Sequence, residues 1–164
     1  MSWFTRTAIW ICAAVSVSPA TASEARTYLE KRVEAYEQAI ERCEQQVRER
    51  AFPGDELLEQ LRQHELKQVR VFLIARAQQL ESQCERPELT ELSYTIGMLK
   101  RLDLSEETAE RLKAVEDLLY TPSPWRFRER YESLPESMRE ALESEAYFQE
   151  PFDGVAVLEA MKAQ

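Results

Sequence analysis

Catalysis needs a nucleophile, a base or a set of metal ligands held together, and few residues of this chain qualify. The single histidine, His64, stands in Gln63-His64-Glu65 with no second histidine for a metal site or a triad. Neither H-E-x-x-H nor G-x-S-x-G occurs. The three glycines, Gly54, Gly97 and Gly154, are too scattered for a phosphate-cradling loop, which needs several close together. Carboxylates are abundant, as in Glu106, Glu107 and Glu110 or Glu140, Glu143 and Glu145. Two such acids facing one another can hydrolyse an envelope polymer, one protonating the leaving group while the other activates water. Their spacing to basic residues, such as Glu107 to Arg111, reads more simply as solvated helix faces. The residues therefore point to no catalytic set, no cofactor and no metal. A paired-carboxylate hydrolase stands as the alternative reading.

Chemistry of another kind resides in the cysteines. The front of the chain, "MSWFTRTAIWICAAVSVSPATA", has the parts of a secretory signal: a positive charge at Arg6, an apolar run from Ala8 to Val17, and Ala20-x-Ala22 set for cleavage after Ala22. The run is about half of the roughly 20 residues a membrane span needs, so no stable anchor is expected. Trp10-Ile11 before Cys12 argue against lipid attachment there. Cleavage would leave Cys43 and Cys84 as the only pair, in an oxidising periplasm where such pairs usually form disulfides within the chain, with a bridge between two copies or two free thiols as the alternatives.

That bond constrains the architecture. A tight turn at Pro53-Gly54 with straight helices on either side would leave the two cysteines about 30 Å out of register. Bridged Cα atoms sit about 5.5 Å apart. The bond therefore requires a break between about Gln60 and Leu66, with "DELLEQLRQ" as a short separate helix and a return helix starting near Leu66.

A binding surface is suggested by "PWRFRERYESL", residues 124–134. Arg126, Arg128 and Arg130 interleave there with Trp125, Phe127 and Tyr131, residue types that dominate binding hot spots. Phe127, Tyr131 and Leu134 also fall at i, i+4 and i+7, the spacing of a helix packed on a core. Both readings are open at this level.

The elements that must position these groups are helices. Leu29, Val33, Tyr36, Ile40, Cys43 and Val47 form a narrow seam over residues 25–50, ended by "AFPGD", with Asp55 placed to cap the next helix. "LKQVRVFLIARAQQL" is apolar on a wider arc and reads as a central helix. Pro87 suits the first turn of a third helix bearing Leu89, Leu92, Ile96, Leu99 and Leu102, with Gly97 permitting close packing. Ser105 caps a fourth helix whose Ala109, Leu112, Val115 and Leu119 share a face. Shorter pieces follow "TPSP" at 124–133, 135–147 and, after a cap at Asp153, 154–163.

The reading is an all-α, irregular bundle of five to seven helices with one disulfide. Residues 1–22 are the signal and 23–164 one domain, comprising a bundle at 24–120 and an aromatic-rich segment at 121–164. Net charge is −9, and losing Arg6 with the signal takes it to −10. That balance argues against nucleic acid, whose phosphates demand a basic surface. The expected function is non-enzymatic binding of another envelope or secreted protein, as an inhibitor or immunity protein or as an envelope chaperone or adaptor. A homodimer is compatible with the seam from Leu29 to Val47.

Overall fold

The computed structural model describes residues 19–119 and 124–163, with side chains from 23 to 119 and from 128 to 163. The signal segment and its cleavage point at Ala22 lie outside the described side chains. The elements in chain order are α1 (Pro19–Glu49), α2 (Asp55–Arg62), α3 (Leu66–Leu99), α4 (Glu106–Leu119), α5 (Pro124–Glu132), α6 (Glu136–Glu143), a 3-10 turn (Ala146–Gln149) and α7 (Gly154–Ala163). The fold is all-α, and the described residues contain no strand.

The expected break falls at Gln63–Glu65. The α2 helix ends at Arg62, and α3 starts after Glu65, whose φ of −60° and ψ of 130° are extended. No glycine or proline marks this corner, so tertiary packing makes it. Leu58 and Leu61 of α2 and Val69, Phe72 and Leu73 of α3 all bury in one cluster. Arg62 fixes the corner by donating from Nε to the carbonyl of Met161 in α7, 3.1 Å away. The return helix then brings Cys84 beside Cys43. Their sulfurs are at bonding distance and their Cα atoms 6.1 Å apart.

Pro87 does not open a third helix. It lies inside α3, which runs unbroken for 34 residues or about 50 Å. An interior proline removes one backbone hydrogen bond, here to the Gln83 carbonyl, and disfavours helix. Ties to α1 on either side hold the helix across it. Tyr36 donates to Glu85 at 3.0 Å, Arg42 to Glu88 at 3.0 Å, and the disulfide sits three residues before it.

Because α3 is so long, it serves two cores. Its first half joins α2, α5, α6, the 3-10 turn and α7 around Phe72, Leu73, Leu142, Phe148, Phe152 and Val157. Its second half joins α1 and α4 around Leu29, Leu92, Ile96, Leu99, Leu112 and Val115. The disulfide staples α1 to α3 between them, where the interface is thinnest in large apolar side chains.

The caps at Ser105 and Asp153 form as expected. Ser105 Oγ accepts from the Thr108 amide at 3.4 Å, and Asp153 Oδ1 accepts from the amides of Val155 and Ala156 at 2.9 Å each. At α2 the capping residue is Gly54, and Asp55 is the first helical residue. Other expectations are corrected by packing. Ala109 is exposed and Thr108 buried in its place. Leu102 is exposed because α3 ends at Leu99. Gly97 faces open space, and the close approach occurs instead at Gly154, against α3.

Candidate interaction surface

The Arg and aromatic segment divides between core and surface. Trp125, Arg126 and Phe127 lie outside the described side chains. Tyr131 points inward and is buried: its ring stacks on Phe72 with centroids 5.9 Å apart, and its hydroxyl donates to Glu143. It is therefore part of the core and not of the expected surface, because the i, i+4, i+7 stripe it shares with Leu134 is what seats α5 on α3. Tyr147, Phe148 and Phe152 pack edge-on or tilted around the same site, with centroid spacings of 5.1 to 5.6 Å. Among the described side chains after residue 120, Tyr131, Tyr147, Phe148 and Phe152 thus build the core around Phe72. Arg128 and Arg130 are exposed, and Arg128 pairs with Glu132 one helical turn away, at 2.8 Å.

A different surface emerges between α1 and α3. Their antiparallel pair has two sides. On one, α4 is bound by its apolar residues and by ion pairs of Arg26 to Glu107 and Arg111 to Glu30. These interhelical pairs replace the expected pair of Glu107 with Arg111 within α4. The opposite side of α1 and α3 carries no further helix among the described residues.

That open side has a defined make-up. Arg32 and Ala35 of α1 with Pro87, Glu88 and Glu91 of α3 line a recess of about 240 Å³. Helical spacing continues this face to Tyr28 on α1 and to Tyr94 and Met98 on α3. Tyr94 is 69% exposed, Met98 38% and Tyr28 37%. Arg32 orders the surface: it donates to the Tyr28 hydroxyl at 3.0 Å, lies over the Tyr28 ring, and pairs with Glu91 at 3.5 Å. Comparison with protein-family models, curated proteins and solved structures finds no match to this chain.

One carboxyl lining this recess has a shifted ionisation. Glu88 is held below the usual carboxylate range by a hydrogen bond involving its own backbone and by Arg42. A hydrolytic acid would need the reverse, a carboxyl kept protonated by burial. The carboxyl that is pushed up is Glu81, through partial burial and then the charges of Glu85 and Glu44. It lies outside the residues lining the recess. His64 sits at the α2–α3 corner with its amide bonded to the Leu61 carbonyl. No group of three or more metal-ligating side chains is placed for a metal among the described residues, and no helix there is long and apolar enough to cross a membrane.

The sequence pattern passed over this face because its residues fall off the apolar seam. Tyr94 and Met98, one turn apart beside Leu92, Ile96 and Leu99, were the available signal.

Proposed function

We propose that this chain is a non-enzymatic protein, exported to the periplasm after cleavage near Ala22, that acts by binding other proteins. Inhibition of a secreted enzyme and client holding in the envelope are the two roles within that class. The observation carrying the reading is the open side of the α1–α3 pair, which by helical spacing carries the exposed Tyr28, Tyr94 and Met98 together with an Arg32 already oriented by Tyr28 and Glu91. Rigid aromatics and a positioned arginine supply binding area at low entropic cost. The paired cysteines suit the proposed compartment.

Immobilised protein tests this against an envelope extract. Tyr94→Ala with Met98→Ala is expected to abolish capture of a specific protein while helical content and the unfolding midpoint stay unchanged. Capture that survives the pair but fails with Trp125→Ala and Arg128→Ala would move the site to α5. Retrieval of nothing by the parent protein would remove the reading.

A further inference from the structure

We infer that the open side of α1 and α3 is occupied by a second copy of this chain, packed about a two-fold axis parallel to the helices. The inference rests on the reading of this face as an interaction surface and names its occupant.

Charge distribution carries the argument. The chain as a whole has a net charge of −9, so two copies repel unless their contact is locally balanced. On this face three cationic side chains stand against two acidic ones, and they are sorted by helix. Lys31 and Arg32, between Tyr28 and Ala35 and one turn from each, line the α1 edge with Arg42, whose pairing to Glu88 places it on the same side. Glu88 and Glu91 line the α3 edge. One edge is cationic and the other anionic.

Rotation about an axis along the helices sets α1 of each copy against α3 of the other at the same height. Lys31, Arg32 and Arg42 of one copy then face the acidic α3 edge of its partner, and the reverse holds at the second contact. Existing pairs of Arg32 with Glu91 and Arg42 with Glu88 would extend into four-membered networks across the interface. Tyr28, Tyr94, Met98, Ala35 and Pro87 supply the apolar centre. Such an isologous contact closes on itself at two chains, and below the concentration of dimerisation it leaves Tyr94 and Met98 free for another protein.

The footprint sets the strength. From Tyr28 to Arg42 is about 20 Å of helix, and two helices side by side are about 20 Å wide. A contact of that size, about 400 Å² per copy, lies below the range of stable interfaces and in that of weak, transient ones, so dimerisation at tens to hundreds of micromolar is expected.

The test is sedimentation velocity with the protein as recovered from the producing cell. The parent protein should pass from one toward two chain masses as concentration rises through about 10 μM to 1 mM. Tyr94→Glu should weaken association roughly 10-fold or more with an unchanged helical spectrum. Two charge-reversed forms decide the geometry: Lys31→Glu with Arg32→Glu, and Glu88→Lys with Glu91→Lys. Each alone should be monomeric, and their equimolar mixture should form a mixed dimer. A parent protein that stays monomeric throughout, or reversed forms that each still dimerise, would overturn the inference. A monomer that nevertheless captures an envelope protein through Tyr94 would leave the proposed function standing without it. A dimer that captures none would do the opposite.

Discussion

Gly154 meets α3 at Leu73 so closely that a Cβ added to it would stand 2.6 Å from the Leu73 carbonyl oxygen and 3.3 Å from the Ala77 side chain. Backbone cannot yield there as a flexible side chain would. Gly154→Ala should therefore push α7 off α3 and lower stability by about 1–3 kcal/mol. Gly97, inside α3 with nothing near its missing Cβ, predicts the opposite. Gly97→Ala should add about 0.5–1 kcal/mol through helix propensity. Urea midpoints of the two variants check both signs.

The disulfide closes a loop with a sequence separation of 41 residues. On the chain-entropy estimate its removal costs about 4 kcal/mol. Cys43→Ala with Cys84→Ala should lower the urea midpoint accordingly, and the parent protein should show the same loss in reductant. Equal midpoints with and without reductant would argue against the bond in solution.

Two phenols make the fold sensitive to alkali. Partial burial, then the charge and hydrogen bond of Glu85, pushes Tyr36 up to about 12, and burial followed by Glu143 raises Tyr131 as well. The folded chain keeps protons that the unfolded chain releases near pH 10, so this stabilisation is complete below pH 10 and is lost as pH rises toward 12. Tyr36→Phe should flatten that part of the stability profile.

Glu81 titrates with the same sign at lower pH. Its raised pKa favours the folded state below the ordinary value of 4.5 and ceases to do so as pH rises through the folded value. Glu81→Gln should raise the urea midpoint at pH 7 and remove this slope, and an unchanged midpoint would count against the shift.

Arg50 joins the end of α1 to the chain before α7. Its guanidinium donates to the carbonyls of Tyr147 and Pro151, pairs with Glu150 at 3.1 Å, and lies over the Tyr147 ring. Arg50→Ala should cost about 2 kcal/mol. Arg50→Lys should recover only part of it, since one ammonium cannot reproduce a planar fork against several acceptors. Thermal unfolding of the two variants, compared at one pH, separates these outcomes.

Much of the fold could be read from local pattern. The α1 seam, the stop at Pro53-Gly54 and the caps at Ser105 and Asp153 depend only on neighbours within a turn or two. The corner between α2 and α3 was legible for another reason: the cysteine pair imposes a distance that a straight hairpin cannot meet. Pro87 was misread because its local preference for a first turn is overridden by long-range ties to α1. Gly97 was misread for a related reason, since only the path of α7 shows that the close approach falls at Gly154.

The chain's order of residues determined which segments are helical and where most of them stop, because periodicity and capping are local properties. Only tertiary structure decided that Tyr131 turns inward, that α4 takes one side of the α1–α3 pair, and that Tyr94 and Met98 remain on the other. Those outcomes depend on which surfaces helices distant in sequence cover, a choice made by packing shape and burial and written in no short stretch of residues.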